Sequence, residues 1–553
     1  MRKLLPVVVL VLLVAGCGTK QPASPLDVLP ETGVLLMAID DPASIVANID
    51  SYIAAGVPIA GPNLLMSQIL AATEAENVDS LASWLGMDIH GPIALYMIGV
   101  NPQTIGMAAA VTDPDAFWTR TTEWGAVWTD AEPIGGAVVK TLTADQMTLN
   151  VAVYRGCLLA AASRAELATM IDRIEGRAPR AVVTLQPETI WLKADVTTFG
   201  PMVAGQLAMY RPQIMSQIEY SGTDQLASQE MTASLLSLYF DYFDKLLRET
   251  SSVEYSITFG PVNIDAQSSV EFVAGSDLAS YMPGEIVDYT DMLPAAGLAI
   301  AGRISLPPDL SKDAMNAIFT AMGSSPGQEF IDMSAEMCRN TPNAMYTDLP
   351  MHMVAVYELP EGAGLDQVRT WVEGSLAFSQ SFVGQIPGMT VSGAADSVVN
   401  GTTYITYSML IDPAAMSPES LPQTGMPPMA FTAWLTATDE IALIEMAPQP
   451  ILAPSILAGA IEGGTVAEMD YFASAGNEMD AVLAFEMGGY MQMIMAWAGE
   501  SIPGMESLGE STAWVYSKAD FTETTMYGYC SFSGVDLANF IGTMIASAGA
   551  FAQ

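Results

Sequence analysis

Only two histidines occur in the 553 residues of the chain, His90 and His352. Histidine is the commonest general base near neutral pH, so a histidine-dependent enzyme would have to use one of them. Each precedes a strand-like apolar run, at residues 92–96 (PIALY) and 353–357 (MVAVY). We interpret the two runs as copies of one strand. The placement of the histidines therefore indicates shared ancestry rather than a catalytic site.

One segment matches a nucleophile motif. Residues 323–327 (GSSPG) fit the pattern G-x-S-x-G with Ser325 at the centre. In α/β-hydrolases this elbow needs a buried strand before the serine and a helix after it. Residues 313–322 (DAMNAIFTAM) have a helical pattern instead, and Pro-Gly after the serine favours a turn. A serine hydrolase that uses Ser325 and His352 is therefore the third alternative for function.

Methionine is abundant, with 36 residues, and its thioether is a soft ligand that suits Cu(I). Met487, Met491 and Met495 recur at four-residue steps, which places them on one face of a predicted helix. Such a face can pack in a core, or it can line a site for an apolar ligand or partner, because methionine adapts to irregular surfaces. We favour core packing over a ligand surface, and both over copper.

The remaining chemistry-bearing residues form no motif. Cys157, Cys338 and Cys530 are isolated, with no CxxC spacing, so we expect buried thiols rather than a zinc or redox site. Phosphate-binding glycine loops, EF-hand loops and dinucleotide fingerprints are also absent from the sequence. We therefore expect no cofactor and no metal, and we predict that the protein is not an enzyme.

The N-terminus has the parts of a secretory leader. Arg2 and Lys3 are basic, residues 4–14 are almost entirely apolar, and residues 14–17 (VAGC) end the run with small residues. The run is too short to cross a hydrocarbon core, which needs roughly twenty residues. Small residues at its end indicate a cleavage site rather than a membrane helix.

This leader resembles that of bacterial lipoproteins, which a dedicated signal peptidase cleaves before a lipidated cysteine. The resemblance implies loss of residues 1–16 and an acyl anchor, palmitate or similar, on Cys17. Two or more acyl chains hold a protein stably at a membrane. Gly18 follows in place of Asp, which in this family implies the outer membrane where a cell has two. Residues 17–27 would form a tether. An ordinary leader with an unrelated cysteine is the alternative.

The charge balance excludes nucleic acid as a partner. The chain has 19 Lys and Arg against 61 Asp and Glu, a formal net charge of −42. Affinity for phosphate backbones depends on basic side chains that displace counterions. Anionic headgroups should be repelled as well, so we expect the body to stand away from the bilayer on its anchor. The charge reflects either a generally acidic proteome or a specific cationic partner.

The body contains a weak tandem repeat. Residues 29–33 (LPETG) and 293–297 (LPAAG) each lead into a strand-like run, and residues 269–278 (SVEFVAGSDL) are similar to residues 529–537 (YCSFSGVDL). Because the order of the matches is preserved, we predict a duplication.

Short motifs predict the elements within each copy. Asp-Pro at residues 41–42 and 113–114 follows strand-like runs and predicts helix starts. The Asp side chain accepts hydrogen bonds from the first free backbone amides of a helix, and Pro at the first helical position has no N–H that would be left without an acceptor. A hairpin is predicted at residues 147–162 with its turn at residues 155–156, followed by a helix. The aspartates therefore need no catalytic role.

The longest predicted helix covers residues 224–249. Its apolar side chains recur at three- and four-residue steps: Leu235, Leu236, Tyr239, Phe240, Phe243, Leu246 and Leu247. Polar residues occupy the other side. We predict that this stripe packs in the core against a sheet, with a ligand cavity as the alternative.

These features predict an α+β fold made of two tandem related modules, residues 28–287 and 288–553. Each module is predicted to be an antiparallel sheet with helices packed on one face. The order of motifs resembles bacterial envelope proteins grouped as a domain of unknown function, a resemblance that implies no activity.

For function, we predict a lipid-anchored, non-catalytic protein of the cell envelope with a binding or structural role. Its expected partners are the membrane, through Cys17, and a protein or an apolar ligand. The alternative is a carrier or chaperone for an apolar ligand such as a lipid, bound by Met487, Met491 and Met495.

Overall fold

The computed structural model describes residues 23–56, 63–73, 77–101, 104–144, 147–220, 226–280, 289–305, 307–321, 327–337, 340–348, 352–383, 388–412, 428–475, 479–498, 514–522 and 524–539. The chain divides into two compact units. Unit 1 comprises Met1–Val203, Thr250–Glu271 and Ser533–Gly542, and unit 2 comprises Ala204–Glu249, Phe272–Phe532 and Thr543–Gln553. Each unit contains its own antiparallel strands and its own helices.

The sheet of unit 1 is antiparallel. Its strands are β1 (Leu35–Ile39), β2 (Ile93–Met97), β3 (Ile105–Ala110), β4 (Trp128–Ile134), β5 (Ala137–Ala144), β6 (Met147–Tyr154), β7 (Cys157–Ala161), β8 (Thr189–Asp195), β9 (Thr250–Phe259) and β10 (Asn263–Phe272). By hydrogen-bonded pairing their order is β10, β9, β8, β1, β2, β3, β7, β6, β5, β4.

Helices cover both faces of this sheet. They are α1 (Pro42–Gly56), α2 (Leu64–Thr73), α3 (Val78–Leu85), α4 (Pro114–Glu123) and α5 (Arg164–Ile174). On one face, α5 and the 3-10 turn Pro25–Val28 pack over alternate residues of the central strands. On the other face, α1, α3 and α4 contribute to the core. The prediction of helices on one face is therefore wrong for unit 1.

The physical reason lies in the central strand β7. All five of its residues, from Cys157 to Ala161, are apolar and buried. Successive side chains of a strand point to opposite faces, so a continuous apolar run needs cover on both. The two-residue turn before β7 is as predicted, with Arg155 and Gly156 both at positive φ (51° and 78°). Positive φ at both turn positions matches the twist of a hairpin.

Unit 2 repeats this organisation. Its strands are β11 (Leu298–Ser305), β12 (Asn340–Tyr346), β13 (His352–Glu358), β14 (Met389–Val391), β15 (Ala395–Val399), β16 (Thr402–Ile411), β17 (Met429–Ala437), β18 (Ile441–Met446), β19 (Ala481–Glu486), β20 (Trp514–Phe521) and β21 (Thr525–Ser533). Their order is β21, β20, β19, β11, β12, β13, β18, β17, β16, and both β14 and β15 pair with β16.

Both faces of the second sheet are covered as well. Its helices are α8 (Asp277–Ser280), α9 (Pro308–Ala321), α10 (Gln328–Met337), α11 (Leu365–Val383), α12 (Ala453–Leu457), α13 (Asp470–Ala475) and α14 (Met487–Ala498). One core contains residues of α12 and α13, and the opposite core contains residues of α10 and α11. The α+β class is confirmed in both units, and again helices pack on two faces rather than one.

The two units have the same strand order. The successive strands β1, β2, β3 and β7 of unit 1 correspond in order to β11, β12, β13 and β18 of unit 2. One part of the repeat alignment is wrong. Residues 92–96, which were matched to residues 353–357, overlap β2, whereas residues 353–357 lie in β13. By strand order, β13 corresponds to β3 and not to β2. The modules at 28–287 and 288–553 stay a prediction, and we propose that the shared strand order reflects duplication.

Two long helices complete the described chain. Helix α6 (Val196–Tyr220) follows β8, and α7 (Leu226–Glu249) leads into β9. The helix predicted at residues 224–249 is confirmed as α7. Within the described ranges, every helix is too short or too polar to span a bilayer.

Candidate functional site

Several predicted site residues lie outside the described part of the chain. Cys17 is one of them, so the predicted lipid anchor stays a prediction. Ser325 is another, but its flanks are described: α9 ends at Ala321 and α10 begins at Gln328. The element before the motif is thus a helix, as predicted, and the strand that a nucleophile elbow requires is not there.

The methionine stripe lies on a helix, as its spacing predicts. Met487, Met491 and Met495 all belong to α14. Met487 is half-buried, and the side chains of Met491 and Met495 lie outside the described part. The methionine of this helix that enters the core is Met493. Its position is on the other side of the helix from the predicted stripe, so a ligand site on that stripe stays a prediction.

His352 forms the most polar cluster in the core of unit 2. Its Nδ1 lies 2.8 Å from Oδ1 of Asp348, and its Nε2 lies 2.9 Å from Oε1 of Glu445. His352 and Glu445 are both buried. The same carboxylate accepts hydrogen bonds from the backbone amides of Leu452 and Ala453 at the start of α12. The cluster therefore joins β13, β18 and α12.

This geometry gives His352 a structural role. A neutral imidazole has one N–H, so a ring that donates to a carboxylate from each nitrogen is an imidazolium. Burial opposes that charge, but hydrogen bonds to Glu445 and Asp348 outweigh burial and raise the pKa of His352. Burial likewise opposes ionisation of Glu445, and the hydrogen bonds from His352 and the α12 amides still lower its pKa. Because both ring nitrogens face carboxylates, neither is free to accept a proton from a substrate.

His90 lies in a different setting, at the surface of unit 1. Its Nδ1 is 2.7 Å from Oδ1 of Asp41, and the hydroxyl of Ser44 donates to Oδ2 of the same carboxylate at 2.8 Å. The aspartate therefore lies between the serine and the histidine. A catalytic triad needs the histidine in that central position, hydrogen-bonded to the serine. The arrangement instead fixes the first turn of α1.

Unit 1 also has a buried charged cluster, which the sequence analysis missed. The guanidinium of Arg173 donates to Glu166 at 3.0 Å, to the hydroxyl of Tyr96 at 2.8 Å and to the carbonyl of Val28 at 3.1 Å. Tyr96 in turn donates to Glu166. These contacts join α5 to β2 and the first 3-10 turn, so the cluster holds the fold together. Among the described residues, no group of three or more His, Cys, Asp or Glu side chains could hold a metal ion.

The clearest exposed apolar feature is one face of α7. Tyr239, Phe243 and Leu246 follow one another at steps of four and three residues, so they share a face. They are 67%, 38% and 42% exposed. We call these three side chains the aromatic face. The prediction that the apolar stripe of this helix packs in the core is wrong for these three residues. Phe240, which belongs to the same predicted stripe, is buried and only 7% exposed.

The polar side of α7 is engaged within the protein. Asp241 accepts from Arg211 of α6, with Oδ1 2.6 Å from Nη1, and the Nζ of Lys245 lies 2.9 Å from Oδ2 of Asp277. Arg248 is paired within the helix with Asp244, at 2.7 Å. These residues lie on the side of the helix away from the aromatic face. An amphipathic surface helix normally turns its apolar side inward. Here the aromatic face is exposed, and the charged side is exposed too, since the side chains of Asp241 and Arg248 are 61% and 65% exposed.

Exposed apolar side chains also occur on α6. Met209 and Tyr210 are exposed just before Arg211, the residue that contacts α7. From Val196 to Ile218 this helix has no carboxylate, and Arg211 is its one formal charge. In a chain with 61 acidic residues, such a stretch is a local departure from the overall composition.

Comparisons with known proteins add little. No protein-family profile matches the chain, and no curated protein matches it. Among solved structures, it is similar to crystal form IV of TP0453, with 9% sequence identity and a TM-score of 0.25 over 45% of this chain and 81% of that one. Crystal forms III and I of the same protein give TM-scores of 0.25 and 0.24. Scores this low carry no conclusion about fold or function.

Proposed function

We propose that the protein is a non-catalytic component of the cell envelope, lipid-anchored through Cys17, that binds another molecule through the aromatic face of α7. The anchor is supported by the leader sequence. The absence of catalysis is supported by the two histidines: His352 lies between two carboxylates, and the hydroxyl of Ser44 donates to Asp41 rather than to His90.

The observation that carries the proposal is the orientation of α7. Exposed apolar side chains scattered singly are normal on a protein surface. Tyr239, Phe243 and Leu246 are not scattered, since they form one continuous stripe of two helical turns. The polar side of the helix forms ion pairs within the protein and stays partly exposed to water. The aromatic face is exposed in the folded chain as well, which supports its role as a binding surface.

Native mass spectrometry of the full chain, extracted in mild detergent from its own membrane, tests the proposal. The wild type is expected to have acyl chains on Cys17 and, in addition, a bound molecule. The Phe243→Ser variant is expected to keep the acyl chains and lose the bound molecule. Val398→Ser is the control, because Val398 is 70% exposed on β15 and belongs to no proposed site.

Two results would contradict the proposal. One is wild-type protein without any bound molecule, and the other is a bound molecule that Phe243→Ser retains as fully as Val398→Ser. A spectrum without acyl chains on Cys17 would contradict the anchor alone and leave the binding surface in place.

A further inference from the structure

We infer that one edge of unit 1 faces the phospholipid bilayer that carries the acyl anchor. We call it the entry edge, and it comprises the 3-10 turn Pro25–Val28, the hairpin turn at Arg155-Gly156, and the end of α5 with the residues up to Arg180. The inference rests on the proposed anchor at Cys17 and names the surface that this anchor holds at the lipid. Its basis is the place where the chain enters the fold, the length of chain before that place, and the local charges.

The first described residue already belongs to the core. Ala23 is 8% exposed, and its amide donates to the carbonyl of Arg155 at 3.1 Å. The thiol of Cys157 donates to the carbonyl of Ala23, also at 3.1 Å. The backbone of Ala23 is therefore bonded to the turn before β7 and to the first residue of that strand. From this residue onward, the chain is fixed at the entry edge.

The residues that follow are held just as firmly. Val28 and Leu29 are fully buried. The carbonyl of Val28 accepts from the guanidinium of Arg173 at 3.1 Å, and the carbonyl of Leu29 accepts from the amide of Ala181 at 2.9 Å. Of the predicted tether, therefore, no residue after Ala23 can extend away from unit 1.

The length of chain before this point limits how far unit 1 can lie from the anchor. Ala23 is the sixth residue after Cys17. A fully extended chain spans at most about 3.6 Å per residue, so these two residues are separated by about 20 Å at most. A domain of about 200 residues is on the order of 40 Å across. Because the tether is shorter than the unit is wide, the entry edge has to remain the part of unit 1 nearest the lipid.

The charge of the chain favours the same orientation. Three arginines at the entry edge each form an ion pair with a carboxylate: Arg155 with Glu175, Arg177 with Asp172, and Arg180 with Asp27. These charges cancel, whereas the whole chain has a net charge of −42. Anionic headgroups repel the chain, but screening confines that repulsion to charges within about 8 Å of them. A protein that is repelled by the bilayer and held at one balanced edge turns that edge toward the lipid.

The opposite edge of the same sheet provides a control position. Strands β3 and β7 are antiparallel, with Ala110 paired with Cys157 at the entry edge. Val100 lies between β2 and β3, before Ile105 begins β3, and so at the other end of these strands. The five residues of β7 span roughly 15 Å. Val100 should therefore lie farther from the bilayer than Arg177 by about that distance or more.

Energy transfer to the bilayer surface tests the inference. The acylated full chain is inserted from outside into vesicles of phosphatidylethanolamine and phosphatidylglycerol that contain a headgroup-labelled acceptor lipid. A fluorescent amino acid is placed at position 177 or at position 100, where the native side chain is 56% exposed and the native residue 53% exposed. A second pair of proteins has twenty glycine and serine residues inserted after Lys20, which lengthens the tether by roughly 25 Å. Circular dichroism checks that all four proteins are folded.

With the native tether, transfer is expected to be greater from position 177 than from position 100. With the insertion, this difference is expected to disappear, because the longer tether lets unit 1 rotate. Equal transfer from the two positions with the native tether, or greater transfer from position 100, would overturn the inference. A difference that the insertion leaves undiminished would overturn it too, because the edge would then bind lipid without the tether.

The mass of each protein separates failure of this inference from failure of the anchor. Unfavourable transfer in protein with acyl chains on Cys17 overturns the orientation alone and leaves the anchor in place. Protein without acyl chains contradicts the anchor and removes this inference with it. None of these results bears on the aromatic face of α7.

Discussion

His352 shows how little of a buried polar cluster can be predicted from local sequence. The residue before a strand was interpreted as a mark of ancestry, and its partner Glu445 is 93 residues away on β18. One signal was available: Glu445 interrupts an otherwise apolar run in a buried strand, IALIEM. A carboxylate at such a position needs a charged partner, because burying an unpaired charge is costly.

The pKa shifts predict how this cluster responds to pH. Because the pKa of His352 is raised on folding, its contribution to stability is present below its ordinary value of 6.5 and is lost as the pH rises through the raised value. The pKa of Glu445 is lowered, so its contribution is present above 4.5 and is lost as the pH falls through the lowered value. We expect the stability that the cluster confers to be greatest between pH 4.5 and pH 6.5. The urea concentration at the midpoint of unfolding, measured across pH, tests this prediction. In the His352→Gln variant, this midpoint should fall less as the pH rises.

The two carboxylates beside His352 should contribute unequally to the free energy of unfolding. Glu445→Gln leaves a buried imidazolium without its buried counter-ion, and we expect a loss of about 3 kcal/mol in the free energy of unfolding. Asp348→Asn is the matched control, because the Asp348 side chain is 52% exposed and water can replace it. Its expected cost is under about 1 kcal/mol. Equal losses in chemical denaturation would contradict the assignment of Glu445 as the main partner.

At the scale of elements, turn and cap residues were the most reliable guides. Helix α4 begins at Pro114, and Asp113 accepts from the amides of Asp115 and Ala116. The hairpin of β6 and β7 turns at Arg155-Gly156 as predicted. These motifs act through their own backbone, so their effect is visible within a few residues.

The side of a helix that faces the protein is harder to predict from the sequence. Periodicity identified α7 and the residues that share its sides, but it does not say which side meets the protein. That choice depends on contacts with Arg211, 30 residues before Asp241, and with Asp277 beyond the helix. The packing of helices on both faces was easier to predict, because β7 is a continuous apolar run and β18 is one except for Glu445, rather than alternating.

Two phenylalanines three residues apart test the orientation of α7. Phe240 is buried and Phe243 is 38% exposed. We expect Phe240→Ala to lower the free energy of unfolding by about 3 kcal/mol, through lost burial and the cavity that remains. Phe243→Ala should cost less, about 1 to 2 kcal/mol, because 38% of the residue is already exposed to solvent. The reverse order in chemical denaturation would mean that the helix is rotated.

For the whole molecule, the duplication predicted from the sequence stays a prediction, although the two units share one strand order. The matches at residues 29–33 and 293–297 both lead directly into the first strand of a unit, β1 and β11. The alignment of β2 with β13 was wrong because short apolar strands look alike. Hydrogen-bonded neighbours, which the sequence does not display, distinguish them.

Composition excluded more than it identified. The net charge of −42 and the absence of nucleotide or metal motifs led us to expect neither a nucleic-acid partner nor a metal. They did not locate a candidate site, because an outward apolar face has the same composition as an inward one. The candidate surface was found from the exposure of Tyr239, Phe243 and Leu246 on one side of α7.

Photo-cross-linking in intact cells is the most direct measurement of whether α7 is a binding surface. Benzoylphenylalanine is placed at position 243, and separately at position 398 as a control that is more exposed, at 70% against 38%. Our account predicts one discrete adduct from position 243 and none from position 398. No adduct from position 243, or the same adducts from both positions, would contradict it.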